Sequence, residues 1–496
     1  MQNNQKIFFS ILGVFVLFGL YYFNPINFYF LNDDFIHISL AKNNVLFQRN
    51  SLRPIGDLSL IFDYNIGKLN ATQYHFTNLV LHVINTVLVF FCSTKIIKKY
   101  FKSFPNIETS IVTSVFFFLY AFHSEAIFWI LGRSASLGML FFLLSTLCFF
   151  KKEENKFYTL LFFIFFIIGL FAYESVWFLP VFVVAIILFN YKNAKHSFKK
   201  QLAFLGFSVL IFAAYLFVRK NITNEFLGTY ETHHIQEFHV FELFKNYGRL
   251  IARSFLPPFT NSLHFLIASI IVSILIVVLT CFFIVKKKFK WLMLFIIYLL
   301  SLTPYISLGI DTHGVEGERF LYMPSFFLII FIVGSVYKFM VNKILRQLVI
   351  IVLLLFNSYY LYQSHATYRY ASNYVEYSLS FLEKNEFSKT IFIDSLPIGI
   401  RGASIFRTGF EESLQLLMNE KTNVVICSIK KNQNKQSSSY TISKNEFNFS
   451  KEISEIMIPD STFKQPYISQ KINPILISKT NAVYLKFKDE GIEVYQ

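Results

Sequence analysis

The feature that most constrains this chain is a succession of long apolar runs through its first 362 residues. A bilayer core of about 30 Å takes about 20 apolar residues in a helix. On that measure eleven spans are expected, at 7–23, 76–92, 109–123, 134–150, 157–173, 175–191, 201–218, 263–285, 291–308, 320–337 and 347–362. Backbone groups in lipid must find their hydrogen bonds within the chain, so each run is read as a helix. The expected fold class is an α-helical polytopic membrane protein with about eleven transmembrane helices. The first run follows Lys6, as a signal peptide would. The bulky Tyr21-Tyr22-Phe23-Asn24-Pro25 after it offers no small-residue cleavage site, so it is read as a retained anchor.

Charge divides the chain near residue 362. Residues 363–496 hold 16 of the 46 Lys+Arg and 14 of the 30 Asp+Glu, leaving 30 and 16 for residues 1–362. The tail is thus close to the roughly 25% charged content of soluble domains, and the longer part lies far below it. Two domains are expected: a membrane domain over 1–362 and a soluble domain over 363–496. In the tail, 390–394 and 423–429 read as strands, as do "ILISK" and "AVYLKF", with a helical stretch between the first two. A small α/β or α+β domain follows.

The loops alternate in charge. Lys95/Lys98/Lys99/Lys102, Lys151/Lys152/Lys156, Lys192/Lys195/Lys199/Lys200, Lys286/Lys287/Lys288/Lys290 and Lys338/Lys343/Arg346 fall on one face with Lys6. Lys and Arg stay cytoplasmic, which puts the N-terminus inside and the tail outside. The net charge of +16 is then the positive-inside signal and not a nucleic-acid surface. The cysteines (Cys92, Cys148, Cys281 and Cys427) have neither CxxC spacing nor a paired framework, so no zinc site or disulfide scaffold is expected.

Ionisable groups at a membrane edge are costly and are candidates for function. The first outer loop opens with Leu31-Asn32-Asp33-Asp34-Phe35. Adjacent carboxylates repel, which raises one pKa towards the range of a general base. They also suit a divalent cation, and either one suits a helix cap before Phe35. Arg53, further along the loop, has the forked geometry that holds phosphate, or it snorkels to water. His75, Asn78, His82 and Asn85 are spaced three, four and three apart, so they share one helix face. That face should look into the bundle, as cavity lining or as interhelical hydrogen bonding.

Shorter outer loops carry His123-Ser124-Glu125 with Gly132-Arg133, then Tyr173-Glu174, then Glu318-Arg319. Glu125, Glu174 and Glu318 sit where helices meet the outer interface and are expected to converge with Asp33 and Asp34. Helix neighbours point apart, so Glu318 and Arg319 should pair elsewhere. Residues 241–256 read as an amphipathic helix with Lys245, Arg249 and Arg253 in one basic stripe, suited to anionic lipid headgroups. Glu231, His233, His234, Glu237 and His239 read as a lid over the cavity or as a metal cluster.

These segments resemble the GT-C superfamily of polytopic glycosyltransferases. The similar branch is the protein O-mannosyltransferase-like proteins, including those with TPR repeats. The resemblance rests on Asn32-Asp33-Asp34, on Arg53-Pro54 leading into "LSLIFDYNIGKLNATQYHFTNLVLHVINTVLVF", and on "HSEAIFWILGRSASL" (123–137). "AYESVWFLP" (172–180) and "ERFLYMPS" (318–325) complete it, in the family's order. Relatives often carry His-Pro at Tyr120-Ala121, Asp at Ser136 and Lys at Tyr173. The tail has no 34-residue helical repeat.

The resemblance implies transfer of a sugar from a polyprenyl phosphate or pyrophosphate donor to an acceptor on the non-cytoplasmic face, usually with inversion. The acceptor would be a protein hydroxyl, a glycan or a lipid. Asp33 or Asp34 would act as the base. Arg53, Arg133, Arg249, Arg253 and Arg319 would hold the departing phosphate. His75, His82, His123, Glu125, Glu174 and Glu318 would line the cavity. Some members use a divalent cation such as Mg or Mn. The residue bias of the chain suggests an AT-rich bacterial genome, hence the bacterial inner membrane with a periplasmic tail. The segment 401–412, "RGASIFRTGFEE", resembles a motif in the tails of related bacterial proteins, where acceptor binding and a structural cap are both open readings. The alternatives are a transporter or flippase, which should show inverted repeats, and a catalytically degenerate accessory subunit.

Overall fold

The computed structural model describes residues 2–46, 52–101, 105–190, 198–224, 240–384, 390–394 and 396–417, and thereafter the strands named below with 429–430. The metal-or-lid cluster at 231–239 and Cys427 lie outside the described residues. The chain forms two compact units, residues 1–26 with 45–365, and residues 27–44 with 366–496. The segment 24–75 is therefore divided: its Asn32-Asp33-Asp34 part groups with the tail, while Arg53 groups with the helices of the first unit.

The first unit is helical. All eleven predicted segments fall on helices. Among the described residues six helices are long and apolar enough to cross a membrane: Gln5–Tyr22, Ala71–Tyr100, Ile130–Lys151, Gln201–Thr223, Ser262–Val285 and Lys343–Lys384. They make this a multi-pass membrane protein. A seventh is added if Ile107–Leu119 and Ala121–Phe128, bent by 57°, count as one span. The other predicted segments form shorter apolar helices, Lys156–Ala172, Glu174–Leu188, Phe289–Tyr305 and Pro324–Phe339. Short 3₁₀ turns at Glu174–Trp177 and Thr303–Tyr305 interrupt this set, and the second begins at a proline-containing step.

Capping is local and legible. Asn70, Asn155 and Asn261 each accept a hydrogen bond from the backbone two residues on, starting the helices Ala71–Tyr100, Lys156–Ala172 and Ser262–Val285. The stripe His75, Asn78, His82 and Asn85 is wholly buried within this unit, facing the bundle as its spacing requires.

In the second unit a six-stranded mixed sheet has the order Tyr467–Lys471, Glu455–Pro459, Val424–Ile426, Thr390–Asp394, Ala482–Lys488, Gly491–Tyr495. Thr390–Asp394 runs parallel to both of its neighbours, and the remaining pairings are antiparallel. Tyr440–Ile442, Glu446–Phe449 and Ile477–Ser478 form a separate three-stranded sheet. The helix Phe410–Leu417 packs on the helix Asp34–Lys42. Phe406, Phe410 and Phe487 form an aromatic core, with centroid separations of 5.0 to 6.3 Å.

Candidate functional site

In the first unit Glu125, Glu174 and Glu318 are each held by an arginine. Arg253 Nη2 donates to Glu318 at 2.6 Å, and neither side chain has any exposure. Ser124 also donates to Glu318. Arg319 pairs with Glu125, whose Oε2 accepts the backbone N–H groups of Gly317 and Arg319 at 2.9 Å. Arg53 donates twice to Glu174, at 2.9 and 2.6 Å. Glu318 and Arg319 are sequence neighbours that pair in opposite directions, as their i,i+1 spacing demands. Burial pushes the Glu318 carboxyl up to about 7, against the opposing pull of Arg253.

Two of the proposed phosphate arginines are spent on the fold. Arg133 is 1% exposed and bonds Asp63 at 2.5 Å, Ser59, and the carbonyls of Tyr74 and Ile130. Arg253 donates to the carbonyls of Asp311, Leu256 and Gly314 besides Glu318. Four of the five N–H donors of each buried guanidinium are thus taken by protein acceptors. Arg133 and Arg253 thus act as internal struts of the first unit. Asp63, which the sequence did not single out, is the counter-ion of Arg133. Its signal was a carboxylate that shares the buried face of the helix Pro54–Gly67 with Pro54, Gly56, Asp57 and Leu60.

Arg53 and Arg319 differ from these, with 27% and 19% of their side chains exposed. Arg53 lies over the Tyr173 ring at 4.8 Å, and Arg319 over Phe320 at 4.6 Å and Trp129 at 5.0 Å. Tyr173 neighbours Tyr305, which stacks on Phe320 at 5.0 Å. A row of three aromatic rings thus joins two partly accessible guanidinium groups. Gly132 lets its turn approach the Glu125–Ala126 backbone, because a Cβ there would fall 2.2 Å from the Glu125 carbonyl oxygen.

The remaining basic residues separate. Lys245 pairs with Glu242 at the surface, Arg249 is half-buried, and Arg253 is buried, so the expected stripe does not present one face. Arg219, which the sequence reading passed over, is 2% exposed and donates to Tyr215 at 3.0 Å.

His82 and His123 belong to a buried polar network. His82 Nδ1 meets the Tyr322 hydroxyl at 2.8 Å, and its Nε2 meets the Phe118 carbonyl at 3.1 Å. Asn85 donates to the Ser136 carbonyl at 2.9 Å and to Tyr322 at 3.3 Å. His123 Nε2 meets Ser325 at 2.8 Å. Asn78 donates into the turn at Ile127, Trp129 and Ile130. These contacts tie the Ala71–Tyr100 helix to the loops that carry Glu125 and Glu318. His75 is buried on the same face.

In the second unit the acidic pair is divided by environment. Asp34 is 1% exposed, and its Oδ2 accepts the Leu31 N–H at 2.9 Å. It is the carboxylate that closes the turn ahead of the helix Asp34–Lys42. Asp33, at the N-cap position, makes no capping bond with its side chain and is only half-buried. Thr408 Oγ1 donates to Asp33 Oδ1. Among the described residues no three His, Cys, Asp or Glu side chains group as a metal site requires, and Glu125, Glu174 and Glu318 already answer arginines.

Part of the chain, 114 residues, is 32% identical to human protein O-mannosyl-transferase TMTC2, covering 22% of this chain. The chain resembles the protein O-mannosyl-transferases. The Xenopus laevis tmtc2 protein matches at 34% over 110 residues and human TMTC3 at 27% over 103. The match spans only 12%, 12% and 10% of these relatives' own lengths. Among solved structures, ArnT from Cupriavidus metallidurans, bound to undecaprenyl phosphate, aligns over 86% of each chain with 7% identity and a TM-score of 0.39. No family model matches the chain.

Proposed function

We propose that this protein is a membrane glycosyltransferase that moves a sugar from a polyprenyl-(pyro)phosphate donor to an acceptor hydroxyl. The supporting observation is the similarity to O-mannosyl-transferases, in a chain with six apolar spans and a half-buried Asp33. In this reading Asp33 removes the acceptor's proton. The hydroxyl oxygen then bonds to the anomeric carbon as that carbon's bond to phosphate oxygen breaks. The electron pair leaves with the polyprenyl phosphate, and attack from the opposite face inverts the anomeric centre. Asp34 holds the turn. For the departing phosphate we favour Arg53 and Arg319, which keep more exposure than Arg133 and Arg253 among the described arginines paired with Asp63, Glu125, Glu174 and Glu318. No step is assigned to a divalent cation.

The same reading keeps eleven spans, a cytoplasmic N-terminus and a tail on the outer face of a bacterial inner membrane, following the positive-inside charge pattern. The test is reconstitution of the full chain with undecaprenyl-phosphate mannose and a threonine-rich peptide, comparing wild type with Asp33→Asn. Wild-type transfer that Asp33→Asn abolishes supports the proposal. Transfer at an undiminished rate by a folded Asp33→Asn protein overturns the assignment of the base.

A further inference from the structure

The segment 401–412 has no role in the reading above, yet its Ile405, Thr408 and Gly409 meet the Asn32-Asp33 turn. The Asn32 N–H donates to the Ile405 carbonyl at 2.8 Å. The Thr408 N–H donates to Asn32 Oδ1 at 3.0 Å, and Thr408 Oγ1 lies 3.1 Å from that same oxygen. Thr408 Oγ1 also reaches Asp33 Oδ1, which as a carboxylate oxygen takes the hydroxyl proton. Asn32 itself is 2% exposed and adopts φ +51°, a left-handed conformation that asparagine tolerates. Residue 32 is thus clamped by backbone and side chain, and the hydroxyl beside it points at the neighbouring carboxylate.

We propose that Thr408 is a positioning residue for Asp33. Its hydroxyl holds one carboxylate oxygen and favours the ionised form, so the tail sets the orientation and basicity of the group that takes the acceptor's proton. The inference rests on the reading of Asp33 as that base. The physical ground is that a hydrogen bond donated to a carboxylate stabilises its charged form, and a fixed carboxylate need not be reoriented for proton transfer. The titratable and charged residues of the helix Asp34–Lys42 and of the motif are Asp34, His37 and Lys42, and Arg401, Arg407, Glu411 and Glu412. None of these differs between the variants compared below, so a shift among them reports the hydroxyl alone. This gives the 401–412 motif a task different from acceptor binding.

The experiment is carbodiimide labelling of the full chain in detergent, with Asp33 modification read by peptide mass spectrometry across pH 3 to 8. Thr408→Val removes the hydroxyl at similar volume, and Thr408→Ser keeps it. We expect Thr408→Val to raise the Asp33 protonation midpoint by about one pH unit, as loss of one donor to a carboxylate does, and Thr408→Ser to leave it in place. Thr408→Ala is the second probe should the valine variant unfold. In the transfer assay Thr408→Val should lower kcat by about 10-fold or more with KM for the donor unchanged, as for a mispositioned base. An Asp33 midpoint unmoved in both Thr408→Val and Thr408→Ala overturns the inference. If Asp33→Asn is inactive while Thr408→Val keeps both midpoint and kcat, this inference fails alone. If Asp33→Asn is fully active, the reading of the base fails, and the labelling still reports whether Thr408 tunes the carboxylate.

Discussion

Gly409 packs against Asn32 so closely that a Cβ on Gly409 would lie 2.4 Å from the Asn32 carbonyl oxygen. Gly409 also has φ +78°, where a side chain is strained whatever the space. Gly409→Ala should therefore displace the Asn32-Asp33 turn, at a cost of about 1–3 kcal/mol. Faster hydrogen exchange across 27–44 and 398–413 checks this. Gly13→Ala, with nothing within 4 Å of its Cβ, serves as the control that leaves those segments unchanged.

The two carboxylates of the acidic pair should fail in different ways. Asp33→Asn is expected to leave the melting temperature near wild type while lowering transfer by about 10²–10⁴-fold, as loss of a general base does. Asp34→Ala removes the buried acceptor of the Leu31 N–H and should destabilise the second unit by about 1–3 kcal/mol. Measuring melting and turnover on both variants separates the roles. Equal loss of stability in the two would contradict the division.

Arg133 and Asp63 form a buried pair with 1% and 0% exposure. Removing one partner strands the other charge, so Arg133→Met alone or Asp63→Leu alone should cost about 3–5 kcal/mol. The double variant should lose clearly less than the sum of the singles. A double-mutant cycle from detergent-solubilised thermal unfolding reads this coupling directly.

Glu318 supplies the pH dependence. Its carboxyl is raised by burial to about 7, so between its ordinary range near 4.5 and 7 the folded state holds more protons than the unfolded chain. Stability then falls as pH rises through that window and levels off above it. Melting temperatures of wild type should decline from pH 5 to 7.5, and Glu318→Gln, which keeps the shape without titrating, should flatten that slope. An equally steep decline in Glu318→Gln would assign the effect to another group.

Tyr322 joins two polar residues of the Ala71–Tyr100 helix through one hydroxyl. Tyr322→Phe leaves His82 Nδ1 without that partner in a buried setting, at about 1–3 kcal/mol. The expected outcome is a lower melting temperature with the helical circular dichroism signal intact.

Local patterns carried much of this architecture. Apolar run length located the six described helices long enough to cross a membrane, because in lipid each backbone must satisfy its own hydrogen bonds over about 20 residues. The three-four-three spacing of His75, Asn78, His82 and Asn85 determined that they share a buried face, because helix period is a property of the backbone. The tertiary structure decided the partners of the charges. Arg133 finds Asp63 seventy residues away and Thr408 finds Asp33 at a separation of 375, and no sequence period relates such positions. Burial then set the chemistry. Arg253 and Arg319, or Asp33 and Asp34, are alike as residues, but they differ in how much of each side chain the fold has already used.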